Sequence, residues 1–468
     1  MADTFDLIVI GAGSGGLTAS RYARRFGAKV ALVEKQRIGG DCTWTGCVPS
    51  KALLKAAKVA HAARTAAQYG IVTSPPVADL PKVRGYVYRA IEEVHQHESP
   101  TELAREGIEV VIRAARFLDA STILAGERKL TARHFIIATG AHPVVPSIPG
   151  LQEVPFMTYE QIFDNERLPS RLLIIGAGPI GVEIAQAYQR LGSQVTLIGV
   201  ALLPREEPEV AEVIGKVFAR EGIAFVPGRA TSVRMRGEEV VLAIQEREVC
   251  GEMLLVAAGR APNVEGLDLE KAGVTYSPKG IQVDSRLRTT ARHIYAVGDC
   301  AGGHQFTHFA AWQAFKAVRN ALLPGSSRGF PDVVPWTTFT DPEVARAGLT
   351  EAQARQRYGE TVRVARWAMA RTDRAVCEND PAGFIKVVHR HNGRLLGATI
   401  VAERAGETIT ECVWALAHGH KVADLAGAIH VYPTYSMAVL ELAADVALSD
   451  FLNSALGKVL QRLSGRGR

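Results

Sequence analysis

The chain opens on a short apolar run, Phe5-Asp-Leu-Ile-Val-Ile10, that breaks at Gly11. A run of this length bounded by glycine predicts a buried strand. Helical spacing follows from Leu17 to Phe26, and Ala28 to Glu34 reads as a second strand closed by an acid. The succession recurs about 165 residues later, with Arg171 to Ile175, a glycine turn, a helix start after Pro179, and a strand from Gln194 to Ile198. After Val283 a short strand, from Ile294, leads into Gly298-Asp299. From Trp336 the pattern changes to strands at 383–388 and 395–401 and helices at 407–418 and 436–448, without a third glycine turn.

The glycines turn this pattern into chemistry. Gly11-Ala-Gly13-Ser-Gly-Gly16 sits between strand and helix, and Glu34 ends the next strand. This is the dinucleotide-binding arrangement: one glycine for the tight turn, one for close approach to pyrophosphate, one for helix–strand packing, and an acid for the ribose. The plain turn is the competing reading, and strand, helix and Glu34 together weigh against it. Gly176-Ala-Gly178-Pro-Ile-Gly181 repeats the device, so the expected fold is α/β with two Rossmann-like domains and two dinucleotides. Pro143 to Pro149 reads as a linker between them.

Length and composition narrow the class. The 468 residues suit about three domains. Hydrophobic residues at 47% and charged residues at 22% exclude a disordered chain. A net charge of +6 is too thin to argue for nucleic acid. There is no basic-then-apolar leader before Asp3 and no apolar run of about 18 residues, so the expectation is a soluble, cytoplasmic protein that uses no membrane. Six cysteines are too few for a disulfide-stapled scaffold.

Two of those cysteines stand apart, in Gly39-Gly-Asp-Cys42-Thr-Trp-Thr-Gly-Cys47-Val-Pro49-Ser-Lys51. Pro49 suits a first helical turn, so the helix predicted over 51–63 would begin at Cys47. The helix dipole and Lys51 would both favour a thiolate there. Four intervening residues can bring the sulfurs within disulfide range. The alternatives are a pair of inert small residues or half a zinc site, but no further ligands lie nearby for zinc.

With these motifs in place, the chain resembles the flavoprotein disulfide reductases over essentially its whole length. It is closest in pattern to mercuric reductase-like proteins, then to dihydrolipoyl dehydrogenase. Matching stretches include Cys42 to Lys51, Phe135 to Gly140, Ala257 to Asn263, Ile294 to Asp299 and Phe339 to Glu343. The resemblance implies an FAD domain at 1–147 and 266–334, an inserted NAD(P) domain at 148–265, and an α+β dimerisation domain at 335–468. It implies a homodimer. It assigns Gly11, Gly13, Gly16, Glu34, Gly40, Asp41, Lys51, Ala115, Thr139, Gly140 and Asp299 to FAD, with Gln305, Phe306, Thr307 and His308 running under the flavin. For His308 a structural backbone-anchoring role stands equally open. Gly176, Gly178, Gly181, Glu183, Arg205 and Gly259 go to NAD(P). Lys51 and Glu183 would pair beside the flavin, although Glu183 alone reads as a solvated carboxylate. Cys47 would face the flavin, and Cys42 would exchange with the outside. Cys250, Cys300, Cys377 and Cys412 are expected to be ordinary small residues. No structural metal is expected, though Cys42 and Cys47 would serve as transient ligands for a metal substrate.

The chain departs from that pattern in three places. Disulfide-reducing members carry His-Pro followed by a Glu, the acid–base pair for thiol exchange; here Tyr432-Pro433 and Met437 stand instead. Tyrosine, with a pKa near 10, is a poor proton donor to a departing thiolate at neutral pH. His430 is a replacement base or, more simply, a structural histidine. The tail from Phe451 has no cysteine to hand over metal, and no metal-binding domain is expected ahead of the first strand. The acidic position after Ile198 is Gly199, which leans toward NADPH over NADH, with Arg205 as the phosphate-binding cation or part of a solvated helix start. The expected acceptor is a metal ion or a quinone-like small molecule. Dihydrolipoyl dehydrogenase is the competing activity, and a flavin-loaded redox sensor the third.

Overall fold

The computed structural model describes residues 3–464; the short basic end at 465–468 lies outside them. The chain forms two compact units, Met1–Gly199 with Gly222–Pro331, and Val200–Glu221 with Asp332–Arg468.

The first unit is built on two sheets whose central strands run parallel. β1 (Asp3–Ile10) lies between β2 (Val30–Glu34) and the strand Arg128–Ile137, parallel to both. Leu7, Ile8 and Val9 are fully buried, so side chains on both faces of β1 are covered and the run reads as continuously apolar. α1 (Ser14–Arg25) follows the first glycine turn, and α2 (Cys47–Thr65) begins at the second cysteine, as its Pro49 required. The second sheet holds β3 (Arg171–Ile175), β4 (Gln194–Gly199), β5 (Ala224–Pro227) and β6 (Met253–Val256) in the order β5-β4-β3-β6. α3 (Pro179–Leu191) connects β3 to β4. Both turns between strand and helix therefore open at the carboxyl ends of parallel strands, where open α/β sheets bind ligands.

The stretch expected to be a free linker is tied down at its start. Ala141–Pro143 pairs antiparallel with Arg260–Pro262, and the Val144 N–H donates to the Gly259 carbonyl at 2.9 Å. Main-chain pairing there anchors the segment that a Pro-rich composition alone reads as loose.

The second unit carries a five-stranded antiparallel sheet, ordered Trp336–Thr338, Glu343–Gly348, Leu395–Ala402, Phe384–Arg390, Val362–Ala368. α5 (Ala405–His418) covers it, burying Ile409, Cys412 and Ala415 against Ala345, Ala347 and Ile400. α4 (Pro208–Glu221) belongs to the same unit. The turn just before it, Pro204 to Glu207, corrects an expectation. Its two carboxylates are not solvated: Glu206 pairs with Arg346 at 2.8 Å, and Glu207, 2% exposed, pairs with Lys386 at 3.1 Å. A carboxylate is buried only with a partner cation, and both cations come from strands of the antiparallel sheet, far along the sequence. Arg205 itself is exposed on that turn.

Candidate active site

The first glycine turn admits no side chain at Gly11 or Gly16. Gly11 has φ +100, and a Cβ there would lie 2.4 Å from the Ala138 carbonyl oxygen. A Cβ on Gly16 would lie 1.8 Å from the Gly11 oxygen. Gly13 caps α1 with no side-chain bond, and across from it Gly40 presents bare backbone; a Cβ on Gly40 would meet the Gly13 Cα at 2.7 Å. Glu34 accepts the Ala12 N–H at 2.8 Å and the Gln36 N–H at 2.9 Å, which fixes its carboxylate at the end of β2. A helix start with no side-chain cap, two bare glycines and an oriented acid fit the ADP half of FAD, with pyrophosphate on the helix N-terminus and ribose on Glu34.

The rest of the expected FAD set converges on the same unit. The Thr139 hydroxyl donates to the Asn263 carbonyl at 2.7 Å, and the Asn263 side-chain amide donates to the Thr139 carbonyl at 2.8 Å; the Asn263 N–H bonds the Gly140 carbonyl. Ala115 lies in a strand with its side chain in the apolar core, leaving only its backbone for a ligand. Asp299 and Asp41 both pair with Arg260, at 3.2 and 2.6 Å, and the Tyr159 hydroxyl accepts from Arg260 at 3.1 Å. Burial raises the Asp299 carboxyl above its usual range, while Arg260 opposes the rise. Arg260 is the residue that sequence reading passed over, although it lies inside the quoted Ala257–Asn263 motif. The Gln305 side chain donates weakly to the Arg260 carbonyl at 3.4 Å. Phe306 and His308 stack in parallel, 5.5 Å between ring centres, with His308 exposed.

The two cysteines meet at the start of α2 as a hydrogen-bonded pair of free thiols. A hydrogen bond from Cys42 lowers the Cys47 thiol to about 6, against the opposing effect of burial; Thr307 and then Lys51 add to the lowering. The Cys42 thiol is pushed well up, first by holding that same proton and then by burial. The proton thus sits on Cys42 and the charge on Cys47. Sequence reading credited Lys51 and the helix end; the larger contributor is the neighbouring thiol. Thr307 Oγ1 lies 3.3 Å from Cys47 Sγ, which ties the sulfur to the 305–308 segment. Lys51 Nζ pairs with Glu183 Oε2 at 2.9 Å. Glu183 is buried rather than solvated, because α3 packs it against α2.

The second glycine turn repeats the first. Gly176 has φ +115, and a Cβ there would lie 2.2 Å from the Ala257 oxygen; a Cβ on Gly181 would lie 1.8 Å from the Gly176 oxygen. Around Gly178 nothing comes within 4 Å of a Cβ, so the space at its face is open. Gly259 is likewise open and exposed at φ +135. Arg205 belongs to the second unit.

In the second unit, His430 Nε2 lies 2.7 Å from Glu411 Oε2, and its Nδ1 lies 3.0 Å from the Ala428 carbonyl. Desolvation works against its charge, but the bonds to Glu411 and Ala428 outweigh it and hold its pKa above the ordinary value. Glu411, pushed up by burial, was not foreseen; nothing in the sequence marks a pair spaced 19 residues apart. Tyr432 donates to Asp373 at 2.8 Å, which raises its pKa further from neutrality. Cys300 and Cys412 are buried, Cys250 half-buried and Cys377 exposed.

The pairing of two glycine turns, a vicinal thiol pair and an antiparallel C-terminal sheet defines a class. The chain belongs to the pyridine nucleotide-disulphide oxidoreductases: the family profile matches residues 5–314, and its dimerisation-domain profile matches residues 334–443. It is an oxidoreductase of a family that uses FAD and NAD(P)H. Among relatives, it is 36% identical over 462 residues to a mercuric reductase of Streptomyces lividans, covering 95% of this chain and 97% of that one. A mercuric reductase of Bacillus cereus is 34% identical over 457 residues, covering 95% of this chain and 72% of the relative. Dihydrolipoyl dehydrogenase of Thermus scotoductus is 35% identical over 458 residues, with 94% and 97% covered. Among solved structures, the Cu(II) complex of the HOCl-induced flavoprotein disulfide reductase RclA from Escherichia coli superposes with a TM-score of 0.85 at 27% identity, covering 94% and 99%.

Proposed function

We propose that the protein is a homodimeric NADPH-dependent flavoenzyme that reduces a non-disulfide acceptor, a metal ion or a quinone-like compound, through Cys42 and Cys47. FAD, when bound, would relay the two electrons of a pyridine-nucleotide hydride to the disulfide, which opens to two thiols. The glycine turn and Glu34 hold the ADP half. Lys51 and Glu183 set the charge beside Cys47. Thr307 orients the Cys47 sulfur. With a pKa of about 6, Cys47 is about nine-tenths thiolate at pH 7, a good ligand for a soft metal ion.

The carrying observation is a charged Cys47 in a chain whose acid–base residues are ill-suited to thiol exchange. Tyr432 holds its proton through Asp373. His430 is held in place by Glu411 and the Ala428 carbonyl, one on each ring nitrogen. Mercuric reductase relatives and a copper-complexed structural neighbour agree in kind.

The test is NADPH oxidation by the purified flavoprotein with mercuric ion, cupric ion, quinones, lipoamide and oxidised glutathione. Turnover with a metal ion or quinone supports the reading; robust turnover of either disulfide sinks it. Anaerobic titration should take up about four electrons per flavin, and about two after Cys42→Ser.

A further inference from the structure

At the end of α5 three rings close on one corner of the surface: Trp414, His418 and His420. The Trp414 ring lies 4.7 Å from each imidazole, parallel to within 17° for His420, and the two imidazole centres are 6.2 Å apart. Trp414 is 58% exposed, an unusual place for a large ring.

The hydrogen bonds fix which nitrogen of each histidine is free. His418 Nδ1 lies 2.8 Å from the Trp414 carbonyl oxygen, which only accepts, so Nδ1 carries the hydrogen. His420 Nδ1 lies 3.3 Å from the Asp424 carboxylate, itself anchored by the Lys421 N–H at 2.8 Å. In the neutral imidazole both Nε2 atoms then carry the lone pair. A ring whose other N–H is held by a carbonyl or a carboxylate is the arrangement of metal-ligating histidines. Metal–nitrogen bonds of about 2.0–2.1 Å put each ring centre about 3.2 Å from a shared ion, so two rings on one ion have centres up to roughly 6.4 Å apart, and the observed 6.2 Å fits nitrogens on nearly opposite sides of the ion.

We propose that His418 and His420 form an open site for a borderline transition-metal cation of the copper or zinc class, with Nε2 of each as ligand and the Trp414 face beside it. Among the described residues no three His, Cys, Asp or Glu side chains gather around one point. The protein therefore supplies two ligands and leaves the other positions to water or an incoming ligand, as suits a cation in transit rather than a structural ion. The proposal does not depend on the thiol pair. Arg394, exposed, reaches to 3.4 Å from where a Cβ on Gly419 would sit, and its charge opposes a cation there.

The test uses the flavin-loaded full chain carrying Cys42→Ser and Cys47→Ser, so that no vicinal thiols compete. Cu(II) is titrated while tryptophan fluorescence and the electron paramagnetic resonance spectrum are followed, and Zn(II) is titrated by calorimetry. The expected result is saturable binding with quenching that Trp414→Phe removes and coupling to two imidazole nitrogens. His418→Ala or His420→Ala should abolish that site, Asp424→Asn should weaken it roughly 10–100-fold, and Arg394→Ala should tighten it. Flavin content and circular dichroism check that each variant is folded. Absence of saturable binding overturns the proposal, as does binding that is unchanged in a folded His418→Ala, His420→Ala double variant.

Discussion

The two glycine turns of the first unit share a backbone and differ in what ends the following strand. In both, a Cβ on the third glycine would sit 1.8 Å from the oxygen of the first, so helix and strand approach equally closely. In the first, Glu34 reaches back to the Ala12 amide. In the second, the position is Gly199, and a Cβ there would lie 2.6 Å from the Cβ of Ala177, the residue corresponding to Ala12. The second turn therefore lacks an acid, and its packing leaves no room for any side chain at that point. Similar backbones can thus present an anchored carboxylate in one half and bare main chain in the other. Only the first half carries the Cys42–Cys47 pair, and the halves meet where Lys51 of α2 pairs with Glu183 of α3.

The largest break in the comparison should come from Gly16→Ala. The added methyl meets backbone that cannot yield without parting α1 from β1, so a cost of about 3 kcal/mol or more is expected. The variant should purify largely without its visible flavin absorbance and unfold at a lower temperature. Gly181→Ala makes the same clash in the other half and should retain flavin while losing pyridine-nucleotide binding. Equal flavin loss in both variants would mean that the two turns do not serve separate ligands.

Next in size is the thiol pair. Removing the proton donor with Cys42→Ser weakens the hydrogen bond that lowers Cys47, and its pKa should climb from about 6 toward the usual value of about 8.5. In the reduced protein, alkylation of Cys47 should rise with pH through about 6, and through a midpoint one to two units higher in the variant. The sign follows from the depressed value: ionised Cys47 contributes stability above its unfolded pKa, and this is lost as pH falls through about 6. Lys51→Met should move the midpoint the same way by less. An unmoved midpoint in Cys42→Ser would assign the charge to the helix end and Lys51 alone.

Much of this was legible from local pattern. Glycine spacing, the strand runs and the helix start at Cys47 are decided by residues near in sequence, and the structure places them within a few positions of the expectation. Partners distant in sequence were not legible. Arg260 joins Asp41 and Asp299 from 219 and 39 positions away, and the carboxylates before α4 find Arg346 and Lys386 only through the fold. His430 shows the same limit. Its position beside a lost motif left a replacement base and a structural histidine open, and the partners that engage its two nitrogens, Glu411 and Ala428, come only with the fold.

The smallest and most discriminating prediction returns to Gly199. If close packing on Ala177 excludes a side chain there, Gly199→Ala should cost about 1–3 kcal/mol through overpacking. Ala177→Gly alone should cost little, and the double variant should recover most of the loss, because the two positions touch and their effects cannot add. Nucleotide preference supplies the second readout. Once Ala177→Gly has opened the space, Gly199→Asp places a carboxylate where Glu34 stands in the first half. That charge would accept the 2′-hydroxyl of NADH and repel the 2′-phosphate of NADPH, so the ratio of kcat/KM values should swing toward NADH by tenfold or more, about 1.4 kcal/mol. A swing that appears in Gly199→Asp without the Ala177 change would show that the strand end yields easily and that sterics do not explain the glycine. No swing in the double variant would place the choice of nucleotide elsewhere, with Arg205 the first cation to substitute.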